Sequence, residues 1–364
     1  MTATTSPSAP ELLRSVREHR VIDGAYGEGG GQLLRSAVAL SALTGTSVRI
    51  QSIRARREPP GLAPQHLAAV RAVAEICDAR CAGATLRSTD IAFVPGPLRC
   101  GSFAFDVGTA GSGVLVLQAL LPLLVSAPGP SRVTITGGTD VRGAPSVDYL
   151  THVLLPLLAT MGARVAAVVA RRGYYPRGGG IIDVQVAPAP LRPLQLRGTG
   201  PLRTISGLAH VAHLPESIAG RMRNAALAEL GRLSQSATCA TAVLGEDAAI
   251  GRGGAIALWA EHEHTVLGTS RVAERGVPAE SLGAAAGREL AADLACGGTL
   301  DIHAADQVLV YCALARGEST FTARALSTHA QTAMWLIEQL LPVTFTVSTE
   351  VAGSCVRVAC RSTA

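Results

Sequence analysis

Two short segments of this chain carry residues able to work on a phosphorylated ligand: Gly27-Glu28-Gly29-Gly30-Gly31-Gln32 and Ser327-Thr328-His329-Ala330. Glycines at a helix start let backbone N–H groups approach an anion without side-chain obstruction. The spacing is neither a Walker A loop nor the dinucleotide fingerprint, so a plain structural turn is the competing explanation. Glu28 sits among the glycines. A carboxylate there repels phosphate unless a metal ion such as Mg²⁺ bridges the two. All 32 basic side chains are arginine, and lysine is absent. That excludes a phosphate-loop lysine and lysine-based nucleotidyl transfer. For covalent phosphoryl or nucleotidyl chemistry, histidine becomes the leading nitrogen nucleophile.

His329 is the strongest candidate. Ser327 or Thr328 can cap a helix whose apolar face runs Ala330, Ala333, Met334, Ile337 and Leu341. That places His329 in the first turn, where the positive helix end opposes imidazolium and favours the neutral, nucleophilic ring. A capping or packing histidine is the alternative. Arg35 lies one turn into the glycine-started helix and can face the same site. Arg54-Ala55-Arg56-Arg57 follows a strand end, and on a strand Arg54 and Arg56 point one way and Arg57 the other. Guanidinium forks suit phosphate clamps, and a solvated basic loop is the alternative. His303 and Asp306 share a helix face, with Gln307 beside them. They could bind metal, order a ribose or cap the helix. Glu261-His262-Glu263-His264 alternates on a strand, which separates histidines from glutamates and argues against a metal site.

The elements that must position these residues follow a recurring rhythm of apolar helix, glycine stop and β-branched strand. Helices are expected at Gln32–Leu43, Gln65–Cys77, Ser112–Leu124 and Pro145–Met161. Strands are expected at Ser47–Ile53, Ile91–Val94, Arg132–Thr136, Ala163–Val169 and Ile181–Val186. From Ala187-Pro188-Ala189-Pro190 a different unit begins, with strand Arg203–Val211, helix Ser217–Leu230 and strand Ala255–Glu263. Gly251-Arg252-Gly253-Gly254 reads as a hairpin turn, and Arg288–Leu294 closes a helix. The first rhythm resumes with Ala304–Leu314, Ser319–Phe321, Ala330–Leu340 and a hairpin over Val343–Val358. The expected fold is α/β in two layers. Residues 21–186 and 284–364 form a large domain, 187–283 an inserted small one, and 1–20 a disordered extension.

With 364 residues, 48% of them hydrophobic, the chain can bury a large core. Only 3% are aromatic, which argues against an extended base-stacking platform, and a net charge of +5 permits a phosphate or nucleic-acid ligand. The eight cysteines form no CxxC and read as buried free thiols in a reducing compartment. The apolar run Val114–Val125 is too short to span a bilayer, and no secretory segment is read in the first 20 residues, so a cytoplasmic protein is expected.

Seven landmarks, in order, give the chain a resemblance to the RNA 3'-terminal phosphate cyclase family. They are Asp23-Gly24 with Gly27 to Ser36, Ile53 to Arg57, Pro60-Gly61-Leu62 with Gln65-His66-Leu67, Gly137-Gly138-Thr139-Asp140, Tyr174 to Gly180, Ala305-Asp306-Gln307, and Thr328-His329. The resemblance implies a large domain of repeated βαβαββ units with a small α/β insert. It implies ATP and a divalent ion, Mg²⁺ or Mn²⁺, and RNA with a 3'-phosphate end as partner. In that reaction Nε2 of His329 attacks the α-phosphorus of ATP, AMP passes to the RNA 3'-phosphate, and the neighbouring 2'-OH closes a 2',3'-cyclic phosphate. Carried over by position, Glu28 is the metal-associated glutamate. Arg35, Arg54, Arg57 and Gln65 fall around the nucleotide and phosphates, and Gln118, Asp306 and Gln307 in the nucleotide pocket. Asp306 either meets a ribose hydroxyl or orients His329, and His303 stands where some members carry tyrosine. The alternatives are a non-catalytic branch acting in ribosomal RNA maturation, which lacks the histidine, and an enolpyruvyl-type transferase acting on sugars.

Overall fold

The computed structural model describes residues 19–231, 236–349 and 355–362. Most of the expected N-terminal extension, residues 1–18, lies outside the described residues. The architecture is mixed α/β, with four small sheets and the helices packed against them.

The first sheet is built from β1 (Arg20–Asp23), β2 (Val48–Gln51), β3 (Arg80–Ala82) and β4 (Ile91–Val94), in the order β1-β2-β4-β3. Its β1–β2 pair is parallel and the others antiparallel. A parallel pair needs a crossover, and α1 (Gly31–Thr44) supplies it, while α2 (Pro64–Ile76) leads back to β3. Gly45, at φ 68, is the left-handed stop of α1, and Pro64 at the first position of α2 has no N–H to leave unsatisfied.

The second sheet takes β5 (Gly101–Asp106), β6 (Ser131–Gly137), β7 (Arg164–Gly173) and β8 (Gly180–Ala187) in the order β7-β8-β6-β5, with the two-residue β11 (Ala249–Ile250) on the β7 edge. Again the first two strands are parallel, joined by α3 (Gly113–Val125). Ser112 caps α3 by accepting the Leu115 N–H at 3.2 Å. The segment α4 follows, helical from Val147 to Thr160 with a π-helical stretch at Leu150–Leu154. The third sheet orders β14 (Ser319–Ala323), β16 (Val356–Ser362) and β15 (Val343–Thr349) as β14-β16-β15, and a parallel bridge from Leu300 to Ala323 extends it. Its helices are α7 (Ile302–Gln307), α8 (Leu309–Leu314) and α9 (Thr328–Leu340). Helix α1 packs on α2, α3 and α9, so helices of all three sheets share one core.

The fourth sheet, β10-β9-β12-β13, is made of β9 (Leu202–Ala212), β10 (Ala240–Leu244), β12 (Gly253–His262) and β13 (Val266–Val272). Helices α5 (Glu216–Leu230) and α6 (Ala279–Cys296) pack on it around a second core that includes Ile205, Met222, Leu258, Leu282 and Leu290. The helix read only over Arg288–Leu294 is therefore the last part of an 18-residue helix. Small residues, Gly283 to Gly287, hide the periodicity of its first half. Gly251–Gly254 is not a hairpin turn, because β11 pairs with β7 whereas β12 pairs with β9 and β13. Cys77, Cys239, Cys312 and Cys360 are buried free thiols as expected, Cys100 is exposed, and Cys296 is paired with Cys355. No described helix is long and apolar enough to cross a membrane.

Candidate active site

Between β1 and α1 the chain makes a tight turn against α9. Gly27 has φ +59, and a Cβ there would overlap Thr332 Oγ1 on α9 and stand 3.3 Å from Thr332 Cβ. Glycine is thus required twice at this position, for backbone conformation and for proximity. Tyr26 stacks on Trp335 of α9 with ring centroids 3.8 Å apart, stapling the turn to that helix. The result is a fixed meeting of Glu28 with His329, whose Nδ1 lies 2.7 Å from Glu28 Oε2.

Ser327 caps α9, accepting the Ala330 N–H at 3.0 Å, and so places His329 in the first turn. The imidazole is held below its ordinary pKa, first by burial and then by Arg35, Arg57 and His303, with Glu28 opposing. It stands neutral near pH 7. Asp306 reaches the same cap: Ser327 Oγ donates to Asp306 Oδ2 at 3.4 Å. Burial pushes the Asp306 carboxyl up to about 7, against the charge of His303. Asp306 therefore touches the cap of the helix that carries His329.

All ten residues singled out from the sequence line one cavity of about 840 Å³: Glu28, Arg35, Arg54, Arg57, Gln65, Gln118, His303, Asp306, Gln307 and His329. Arg57 Nη2 donates to Glu28 Oε1 at 2.5 Å. Arg54 Nη1 donates to the carbonyls of Pro59 and Gly61 at 3.1 and 2.8 Å, which orients the guanidinium from within its own loop. The strand alternation expected for Arg54, Arg56 and Arg57 is absent. β2 ends at Gln51, and Ser52 and Arg54 adopt φ 54 and 52 in a turn, so Arg54 and Arg57 both face the cavity and Arg56 does not line it. Gln65 Oε1 accepts the Ser112 N–H at 3.4 Å, and Gln118 Nε2 donates to Gln307 Oε1 at 2.6 Å.

Arg35 is the most telling of these. It is 9% exposed, its pKa is brought down to about 10 by burial, and it has no ion-pair or hydrogen-bond partner among the described residues. A buried cation without a counter-ion is costly, and an anion in the cavity relieves that cost. Gln32 Oε1, buried and on a cavity-lining residue, is likewise without a hydrogen bond, and the Glu28 carboxylate, whose Oε2 faces His329 Nδ1, lines the same cavity. Oxygen donors of this type fit Mg²⁺ or Mn²⁺, which retain several waters and bind through one or two carboxylates with substrate phosphates.

The cap of α7 escaped the sequence reading. Asp301 accepts the N–H groups of His303 and Ala304, each at 2.9 Å. His303 is free of capping, and its Nε2 lies 3.1 Å from Glu289 Oε1 on α6. An Asp preceding His303-Ala-Ala-Asp306 was a legible cap signal, whereas nothing in the pattern of α6 singled out Glu289. Asp140, Asp148 and His210 bring potential ligand atoms within 4.8 Å of one another. Arg172 already fills that space, donating to Asp148 Oδ2 at 2.8 Å, Asp148 Oδ1 at 2.6 Å and Asp140 Oδ2 at 3.2 Å. The guanidinium is the cation of this buried cluster, which stands outside the cavity. The Glu261–His264 run holds no metal cluster among the described residues.

The α/β scaffold gathers a neutral histidine, a buried arginine without a counter-ion and the side-chain oxygens of Glu28 and Gln32 into one cavity, an arrangement suited to a phosphorylated ligand. A family model described as RNA 3'-terminal phosphate cyclase matches residues 26–347. A Nitrosospira multiformis protein described by the same words is 57% identical over 330 residues, which covers 90% of this chain and 93% of that protein. Its counterpart from Pyrobaculum neutrophilum is 45% identical over 326 residues, with coverage of 89% and 93%. A Methanopyrus kandleri protein so described is 44% identical over 338 residues, covering 91% and 95%. Among solved structures, the enolpyruvyl transferase NikO from Streptomyces tendae aligns over 94% of this chain and 48% of its own at 13% identity, with a TM-score of 0.37. The chain belongs to the RNA 3'-terminal phosphate cyclase family.

Proposed function

We propose that this protein converts an RNA 3'-terminal phosphate to a 2',3'-cyclic phosphate at the expense of ATP, through AMP held covalently on His329. The observation that carries the reading is His329 itself: neutral, in the first turn of α9, with Nδ1 against Glu28 and the ring on the wall of a cavity that also holds an unpaired buried arginine. A carboxylate beside Nδ1 favours the tautomer with its proton there and leaves the lone pair on Nε2. Nε2 attacks the α-phosphorus of ATP and pyrophosphate departs. The RNA 3'-phosphate then takes AMP from the histidine. The 2'-OH of the same nucleotide attacks the activated phosphate, a proton leaves, and AMP is expelled. Adenylation supplies the leaving group a phosphate monoester lacks, and adjacency makes the ring closure intramolecular.

Arg35, Arg54 and Arg57 hold the nucleotide and RNA phosphates in this scheme, and Gln65, Gln118, His303, Asp306 and Gln307 form the rest of the nucleotide site. A divalent cation on Glu28, with Gln32 Oε1 at hand, would neutralise phosphate charge as pyrophosphate leaves. The large domain is read as a repeated βαβαββ unit. In its support, the first two sheets share one strand order and one pattern of parallel and antiparallel pairs, and the third follows the antiparallel part of it. The unit of the second core, about residues 187–283 with the remainder of α6, is read as the insert.

Incubation with α-labelled ATP and Mg²⁺ or Mn²⁺ tests the mechanism. Acid-labile, alkali-stable label should appear on the protein, be absent from folded His329→Ala, and chase onto RNA bearing a 3'-phosphate. A folded, metal-supplied wild type that takes no label refutes it.

A further inference from the structure

We propose that the second-core unit completes the nucleotide pocket through one carboxylate, Glu289, a positioning residue that holds His303 as an imidazolium on the pocket wall. The inference rests on the reading of the cavity as a nucleotide site and assigns part of it to a unit outside the large core.

Glu289 projects from α6, whose Leu282, Ala286 and Leu290 are buried in the second core. Its side chain is 11% exposed and both oxygens are engaged. Oε1 meets His303 Nε2 at 3.1 Å, and Oε2 accepts from Thr269 Oγ1 at 2.6 Å and forms an ion pair with Arg271 Nη2 at 2.6 Å. Three partners from two further elements leave the carboxylate one orientation. Burial alone would raise its pKa, but the His303 hydrogen bond, the Thr269 hydroxyl and Arg271 outweigh burial and bring it to about 2. Glu289 is therefore a fixed negative charge throughout the neutral range.

His303 is the group it acts on. The ring is 40% exposed, lines the cavity, and stands edge-on to Tyr149 of α4 with centroids 6.2 Å apart. With Nε2 committed to Glu289, Nδ1 and the exposed part of the ring remain for a ligand. The charges around it come from every side: Glu289 on α6, Arg271 on β13, Asp301 capping its own helix and Asp306 on it, and His329 on α9. Burial works against the imidazolium, yet the hydrogen bond to Glu289 and the three carboxylates raise its pKa above the ordinary histidine value. Ser270, Arg271, Val272 and Leu282 line the same cavity, so this unit forms a wall of it and reaches the ligand-facing histidine through Glu289. An imidazolium offers a nucleotide a positive charge and an N–H donor where neutral histidine offers less.

The test uses the full-length protein and α,β-methylene ATP, which cannot adenylate His329, with Glu289→Gln keeping the shape of the side chain. Calorimetric affinity at about pH 7.5 should fall roughly three- to thirtyfold in the variant. The gap should narrow as pH falls and His303 becomes protonated in the variant as well. In auto-adenylation with ATP the variant should raise KM and retain the maximal rate. NMR titration of histidine-labelled protein, with His303 assigned through His303→Gln, should give a wild-type midpoint above 6.5 and a lower one in the variant. A pH-independent loss of affinity, unchanged affinity, or a wild-type midpoint at or below 6.5 overturns the inference, and the last requires no folded variant. Label on His329 with no effect of Glu289→Gln defeats this inference alone. Analogue binding with no label defeats the proposed mechanism instead.

Discussion

Gly31→Ala puts the geometry at the start of α1 to the test. On helix propensity alone, alanine in place of glycine favours a helix by up to about 1 kcal/mol. Here the surroundings reverse the sign. A Cβ on Gly31 would overlap Nε2 and Cδ2 of His66 and stand 2.8 Å from Cε1, where nonbonded carbons settle at about 3.5–4.0 Å. His66 cannot swing away, because the residue is 4% exposed and its Nδ1 accepts the Ala63 N–H at 3.3 Å. Relief therefore needs a shift on the order of 1 Å at the N-terminus of α1. Overpacking of this kind costs about 1–3 kcal/mol of stability. Glu28 and Arg35 flank the displaced turn, and a misplacement of about 1 Å can slow a positioned reaction about 100-fold. Denaturant unfolding and the initial rate of label incorporation from α-labelled ATP measure the two effects. The double variant Gly31→Ala with His66→Ala should regain part of the rate, since the new methyl enters space the imidazole vacates. Gly31→Ala with wild-type midpoint and wild-type rate would show the reasoning to be wrong.

Other outcomes follow from the same structure. Burial, with Arg35 and Arg54 nearby, lowers the His66 pKa to about 3, so between that value and the unfolded 6.5 the unfolded chain binds the extra proton. Stability from this group is present above pH 6.5 and lost as pH falls toward 3; His66→Gln should flatten the dependence of Tm on pH over that window. Arg172→Met leaves Asp140 and Asp148 buried without their cation and should cost about 3–5 kcal/mol in denaturant unfolding. Ser327→Ala removes the cap of α9, costing about 1 kcal/mol, and should slow adenylation because His329 sits in the turn it holds.

The elements that position the site were legible where their signals were local. Gly45 stopped α1 where the helix ends, Ile91–Val94 is the strand expected, and Ser327, one of two residues expected to cap α9, is its cap. Short or polar strands were not legible: Arg80–Ala82 has three residues, and Val266–Val272 is broken by Gly268 and polar residues yet buried through Thr269 by neighbours distant in sequence. The ten candidate site residues could be named from motifs and the family resemblance, but their convergence depends on packing among α1, α3, α7 and α9 that no local pattern encodes. Arg54 shows the limit within a motif. A left-handed turn, not strand alternation, brings it to the same side as Arg57. Glu289 and Arg172 lay beyond reach, because what distinguishes each is the partner it meets on another element.

The Gln118–Gln307 hydrogen bond closes across 189 positions, and Glu28 waits for a histidine almost at the other end of the chain. A ribosome must therefore release nearly the whole polypeptide before this cavity is complete. In the proposed scheme nucleotide bound there clamps α1 and α9 together, so it should protect the large core as one unit against unfolding and proteases. Fragments ending before α9, however well they keep their first sheet, should gain no such protection.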